Sequence, residues 1–154
     1  MNYQYEIKTD LGSMILVETE NKISHVSFGT MKKFLEVPVK KTELLKKTEQ
    51  QILEYFDGKR QNFSLPIAPE GTVFQKKVWK ALQNIPYGQT RSYGEIAREI
   101  GQCNASRAVG NANHNNPIAI IIPCHRVIGA SGKLTGYYGG LDKKEFLLKL
   151  EGAL

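Results

Sequence analysis

Ser92-Tyr93-Gly94-Glu95-Ile96-Ala97-Arg98-Glu99-Ile100-Gly101-Gln102-Cys103-Asn104-Ala105-Ser106-Arg107-Ala108-Val109-Gly110 decides how the second half of this 154-residue chain folds. Ser92 with Glu95 three residues on is a capping-box pattern and opens a short helix. Gly101 can terminate it. Asn104 can then cap a further helix, Ala105 to His114. Helix, short glycine-containing turn, helix is the helix-turn-helix unit. The second of these helices is rich in small residues: Ala105, Ser106, Ala108, Gly110 and Ala112. Small residues allow close approach to another surface, whether a neighbouring helix or a ligand. Arg107 is the only long cation on it. It is either a solvated surface charge or a planar group able to enter a duplex.

Upstream, Thr72-Val73-Phe74-Gln75 is another capping box. Phe74, Val78, Ala81, Leu82 and Ile85 follow at helical spacing, and Pro86-Tyr87-Gly88 ends that helix. Pro66-Ile67-Ala68-Pro69-Glu70-Gly71 reads as a linker and divides the chain into domains 1–66 and 67–154. In the first, Tyr3 to Thr9, Met14 to Glu20 and Ile23 to Phe28 are rich in β-branched and aromatic residues, with turn-like residues between them. Thr42 to Phe56 sets Leu45, Ile52, Leu53 and Phe56 near one helix face, with Gly58 at its end, and Gln61 to Leu65 fits a last strand. The expected class is α+β: a small N-terminal antiparallel-sheet domain, then a mostly helical domain.

Downstream, Ile118-Ala119-Ile120-Ile121-Ile122 reads as a buried strand or extended segment that Pro123 ends. Cys124-His125-Arg126-Val127 follows. A thiol is a weak nucleophile until something takes its proton, and an imidazole can do so. Neighbours in a strand point to opposite faces, so the two residues cooperate only if the backbone turns there. A cysteine in apolar surroundings is otherwise a small buried hydrophobe.

With 41% hydrophobic and 23% charged residues, the chain has the composition of a soluble globular protein. Residues 1–66 hold ten lysines and arginines against nine acids, net +1. Residues 67–154 hold eleven against six, net +5. The basic excess lies in the half that carries Cys124 and favours a polyanionic partner there. No apolar run is long enough for a membrane span, and Met1-Asn2-Tyr3-Gln4-Tyr5-Glu6 lacks the marks of a signal peptide, so a cytoplasmic location is expected. Cys103 and Cys124 show no metal-ligand spacing, and His25, His114 and His125 form no ligand pair. Cys103 reads as structural or incidental.

Five segments occur in a fixed order: Arg107-Ala108-Val109-Gly110, Asn116-Pro117, Pro123 to Val127, Gly136-Tyr137-Tyr138-Gly139-Gly140, and Lys144-Glu145-Phe146-Leu147-Leu148 through Glu151-Gly152. Together they closely resemble the O6-alkylguanine–DNA alkyltransferases, densely from Gly71 to Gly152 and only in length and strand pattern before that. The resemblance implies a winged helix-turn-helix-like catalytic domain. It implies single, irreversible transfer of an alkyl group from O6 of guanine, or O4 of thymine, in double-stranded DNA to a cysteine. By position, Cys124 is the nucleophile, His125 the base, acting through a water, and Glu151 the acid that orients it. Tyr93 gives a proton to guanine N3, and Asn116 is the hinge tying the recognition helix to the active-site segment. Arg107 enters the base stack in place of the flipped nucleotide, with Ser92, Tyr93, Ala105, Ser106, Gly110 and Asn111 against DNA.

The same resemblance makes Val127, Tyr137, Tyr138 and Lys144 pocket residues. The carbonyls of Cys124 and Val127 read the guanine amino group, and the Tyr138 N–H meets O6. Asn113 and His114 are placed on the groove-facing side. Tyr138 stands where the family can carry a small residue, which narrows or covers the pocket. The family sometimes holds an N-terminal zinc site; no equivalent is evident here, and no metal or organic cofactor is expected. A monomer associated with a prokaryotic nucleoid is the expected state. Two rivals are a Cys-His-Glu acyl-transfer enzyme, which would turn over, and a non-catalytic lesion binder, in which a tryptophan replaces the cysteine.

Overall fold

Short runs of apolar and β-branched residues separated by tight turns make the first half a meander. The computed structural model describes residues 1–29 and 36–154. Strands β1 (Asn2–Thr9), β2 (Gly12–Thr19) and β3 (Lys22–Phe28) pair antiparallel in the order β1-β2-β3. Asn2 faces Thr19 and Thr9 faces Gly12, while the β2–β3 register shifts between Val17 and Glu18. Glu20 and Asn21, both at positive φ, make the two-residue turn whose twist suits a hairpin. Met14 to Glu18 are all buried.

Helix α1 (Glu43–Phe56) starts on Thr42, whose hydroxyl accepts from the Leu45 N–H. It ends in a Schellman closure: the Lys59 N–H reaches the Glu54 carbonyl and the N–H of Gly58 (φ +73°) reaches that of Tyr55. Its buried stripe is Leu45, Thr48, Gln51, Ile52, Tyr55 and Phe56. Leu53, expected on that face, is instead exposed, because it lies about 100° around the helix from Ile52.

The strand expected over Gln61–Leu65 does not form. The chain joins β3 only at Ile67, where the Ile23 N–H donates to the Pro66 carbonyl and the Ala68 N–H to Ile23. Pro66 has no N–H to extend that pairing backward. This bridge holds residues 66–68 to the sheet. The first compact unit is thus Met1–Glu70 together with Pro117–Ile121, and the second is Gly71–Asn116 with Ile122–Leu154. The division at 66/67 falls four residues early, and a contiguous reading misses the return of Pro117–Ile121.

That returning segment is buried as expected but is not a strand. It makes one bridge, Ile118 with Val26. Then the Ile121 N–H bonds the Ala119 carbonyl around Ile120, which sits at φ +71°. This is a γ-turn on a β-branched residue, a strained arrangement costing on the order of 1–3 kcal/mol. At Pro123 (φ −81°, ψ 63°) an inverse γ-turn follows, with the Cys124 N–H on the Ile122 carbonyl. Apolar side chains bury equally well in turns, so hydrophobicity alone did not specify a ladder.

In the second unit, α2 (Val73–Leu82) and α3 (Tyr93–Glu99) each carry the expected capping box, Thr72 with Gln75 and Ser92 with Glu95. Helix α4 (Ser106–His114) begins one residue late. Ala105 is its cap residue, with no side-chain cap bond, so Asn104 does not cap it. Helices α2, α3 and α4 pack on one another, and the Trp79 indole N–H donates to the Ala112 carbonyl at 2.9 Å. β4 (Arg91–Ser92) pairs parallel with β5 (Val127–Ile128), and α5 (Leu141–Leu150) closes the chain.

Candidate active site

After the γ-turn at Pro123, the chain makes one 3-10 turn, Cys124–Arg126. This is the bend that adjacent cysteine and histidine need. It buries all three side chains: Cys124 is 1% exposed and His125 0%. Their anchor is Glu151, the last residue of the α5 turn. His125 Nε2 lies 2.7 Å from Glu151 Oε2. Arg126 donates to the same carboxylate twice, Nε to Oε1 at 2.8 Å and Nη2 to Oε2 at 3.0 Å, and Nη1 to the Ile85 carbonyl at 2.7 Å. The Gly88 N–H adds a fourth donor to Oε1 at 3.2 Å. Gly88 lies at φ +80°, and a Cβ there would stand 3.1 Å from the Glu151 carbonyl. A buried carboxylate is tolerated only when so fully bonded.

Burial, more than the Arg126–Glu151 pair, sets the protonation states around it. Burial, with the charges of Arg126 and Lys144, holds the His125 imidazole below its usual pKa despite Glu151. Burial also pushes the Cys124 thiol up to about 11, against the Asn116 side-chain bond and the Lys144 charge, which lower it. Both groups are therefore neutral at pH 7 in this closed state. With Nε2–H donated to Glu151, the imidazole lone pair lies on Nδ1.

Two amides, Asn113 on α4 and Asn116 just beyond it, reach the active-site turn. Asn116 Nδ2 donates to the Ile122 carbonyl at 2.8 Å. Asn113 Nδ2 donates to the Cys124 carbonyl at 3.2 Å. Asn113 was expected on the groove-facing side and is instead 2% exposed. It continues the buried stripe of Val109, Ala112 and Asn116 at helical spacing, whereas His114, one position on, is exposed.

On the other side lies Lys144, fully buried, which donates to the Val127 carbonyl at 2.5 Å and the Thr135 carbonyl at 2.7 Å. Burial lowers its pKa to about 8. The Tyr93 hydroxyl meets the Thr135 carbonyl at 3.3 Å and its Oγ1 at 3.1 Å. Tyr137 is buried, Tyr138 is half-buried, and their rings stand 5.7 Å apart. Ser106, Arg107 and Asn111 are exposed on α4, with Ala105 and Gly110 half-buried. Gly110 faces the Tyr93 ring. Ser92 spends its hydroxyl on the α3 cap.

Residues 2–69 match the family model for the 6-O-methylguanine DNA methyltransferase ribonuclease-like domain, and residues 73–153 that for its DNA binding domain. The chain belongs to the O6-methylguanine–DNA methyltransferase family. It is 54% identical to the methylated-DNA–protein-cysteine methyltransferase of Methanosarcina acetivorans, covering 98% of this chain and 99% of that one. It is 44% identical to the constitutive one of Bacillus subtilis, covering 98% and 96%. Its structure matches the O6-methylguanine methyltransferase of Mycobacterium tuberculosis with a TM-score of 0.91 at 43% identity, covering 99% and 94%. The same TM-score is found for M. tuberculosis OGT in complex with DNA, covering 98% and 93%.

Within this methyltransferase chain the structure brings Cys124, His125, Glu151, Asn116, Val127 and Lys144 into one network. Tyr93 joins it through Thr135. Three contributors escaped sequence reasoning. Arg126 lay inside the Pro123 to Val127 motif, and a cation between His125 and the apolar Val127-Ile128 was the available signal. Trp79 is the largest side chain on α2, beside the periodic Val78. Thr135 carried no signal, because its role depends on its backbone carbonyl. Among the described residues no group of three metal-ligating side chains occurs, and no helix is long and apolar enough to cross a membrane.

Proposed function

We propose that this protein repairs double-stranded DNA by transferring an alkyl group from O6 of guanine, or O4 of thymine, to Cys124, once per molecule. The observation that carries this reading is the buried Cys124–His125–Glu151 arrangement in a chain of this family. The thiol proton passes to His125 Nδ1 through a water, and Glu151 stabilises the imidazolium that forms. Cys124 Sγ attacks the alkyl carbon; the C–S bond forms as the C–O bond breaks, and the electron pair leaves with the guanine. Tyr93 gives guanine N3 a proton and regains one through solvent from His125, so the thiol proton ends on the base. The thioether has no group nearby to reverse it, which makes the protein a single-use reagent.

The lesion lies inside a duplex, so the nucleotide must rotate out. Arg107, alone among small residues on the exposed face of α4, is suited to fill the vacated stack. Ser92, Ala105, Ser106, Gly110 and Asn111 are positioned for backbone contact, and Val127, Tyr137, Tyr138 and Lys144 line the pocket. Cys124 is 1% exposed, so the residues over it must shift for a base to enter. A monomer working on the nucleoid in the cytoplasm fits this chemistry. The test is a burst titration with alkylated duplex. One alkyl per protein, recovered on the Cys124 peptide, is expected. Continuous turnover would indicate an acyl-transfer-like enzyme, and no transfer a lesion binder; either overturns the reading.

A further inference from the structure

We propose that Thr135 is a positioning residue for departure of the base: its hydroxyl donates to the Tyr93 oxygen and holds it while that tyrosine protonates guanine N3. The inference rests on the function proposed above, in which Tyr93 is the proton donor. A phenol that gives up its proton is left with charge on its oxygen. A second donor aimed at that oxygen stabilises the charge as it develops.

Among the described residues the Tyr93 hydroxyl meets one residue, Thr135, and meets it twice: the carbonyl at 3.3 Å and Oγ1 at 3.1 Å. A carbonyl only accepts, so the tyrosine proton lies toward it. The Oγ1 contact is then a hydrogen bond only if Thr135 is the donor. This assignment makes both contacts bonds. The threonine is fixed for the task. Its carbonyl is held at 2.7 Å by the buried Lys144, which also holds the Val127 carbonyl. Its methyl lies toward Gly129, where a Cβ would stand 3.8 Å from it. A β-branched side chain has few rotamers, so the methyl's place also sets the hydroxyl's. Both contacts to Tyr93 are longer than the usual O–H···O bond, and catalytic bonds of this kind tighten when substrate binds. When a base enters, the tyrosine proton exchanges the Thr135 carbonyl for N3. The carbonyl keeps Lys144, so no acceptor is stranded. The Thr135 donor bond persists and strengthens as the phenol oxygen takes on charge. Thr135 keeps its own proton throughout; the one transferred is the tyrosine's.

The experiment compares single-turnover rate constants, at saturating protein, on two duplexes. One carries O6-methylguanine and the other its 3-deaza analogue, in which N3 is replaced by C–H. Wild-type protein should transfer faster from the base that has N3. Thr135→Val keeps the shape and removes the donor. It should slow transfer from O6-methylguanine by about tenfold, the worth of one hydrogen bond to a charged group, and change transfer from the 3-deaza base by less than about twofold. Thr135→Ser restores the donor and should recover most of the loss. A first-order rate constant at saturation does not depend on how much of the protein is folded. A threonine that only shapes its loop would make Thr135→Val slow on both duplexes alike. One that only fills space would leave Thr135→Val as fast as wild type on both. Either result would overturn the inference. So would a serine variant as slow as the valine one, or wild-type protein indifferent to N3. Wild-type protein that transfers from neither duplex would overturn the proposed function itself.

Discussion

Helix α4 has two faces that obey different rules. Its inner face, Val109, Ala112, Asn113 and Asn116 just beyond, is buried and tied to the active-site turn. Its outer face, Ser106, Arg107 and Asn111, is exposed, small and singly charged. Chemistry inside this molecule depends on groups that are desolvated and held by a few specific bonds, so each atom matters. The outer face depends on what is absent, since short side chains leave room for another molecule. One helix thereby joins a rigid site to an open surface, and substitutions on the two faces should fail in different ways.

The largest effect should come from the inner network. Cys124→Ser should abolish alkyl transfer, because a hydroxyl is a far poorer nucleophile, while affinity for undamaged duplex is retained. Electrophoretic shift and transfer assays on one preparation check this. Residual transfer above a chemically blocked control would remove Cys124 from the role. Next comes Glu151→Gln. It leaves Arg126 buried without its counter-charge, and breaking such a pair costs about 3–5 kcal/mol. Urea unfolding should show that loss; a change below about 1 kcal/mol would mean water replaces the carboxylate.

How these faces could be read from the sequence differs as well. Capping boxes at Thr72 and Ser92 are local, and both formed as written. The three strands followed from residue type and turns. Ile118–Ile122 misled because a buried apolar run looks the same whether it pairs or turns, and the positive φ at Ile120 is imposed by surroundings distant in sequence. Asn113 misled because asparagine on a helix next to exposed His114 looks like surface; only packing shows that it faces inward. The motif residues Cys124, His125 and Glu151 were legible through resemblance, while the fourfold bonding of Glu151 was not, since its donors Gly88, His125 and Arg126 come from two chain segments distant from it in sequence.

The outer face should fail by substrate, not by stability. Arg107→Ala removes an exposed side chain, so unfolding should change by less than about 0.5 kcal/mol. Transfer from duplex should slow by one to two orders of magnitude, reflecting an unstacking cost of a few kcal/mol that the arginine no longer offsets. Transfer from free O6-alkylguanine base needs no extrusion and should hardly change. Equal losses on both substrates would assign Arg107 to the inner network instead.

The smallest effect is one of pH, and it separates two buried groups of opposite sign. Lys144 titrates at about 8 in the folded protein against 10.5 in an open chain. Between those values the unfolded chain holds a proton the folded one has lost, so stability rises with pH. Cys124 titrates at about 11 when folded against 9 when unfolded. Between these values the folded state holds the extra proton, so stability falls as pH rises. From pH 8 to 9 only Lys144 acts, for a gain of at most about 1 kcal/mol. From 9 to about 10.5 the two oppose, and above that only the loss remains. Exposed groups shared by wild type and Cys124→Ala cancel in the difference of their Tm values. That difference should be flat from pH 8 to 9 and then widen steadily to pH 11, with the variant gaining. A flat difference up to pH 11 would show that the Cys124 thiol is not held proton-rich by burial, and that the inner face of α4 is wetter than its bonding implies.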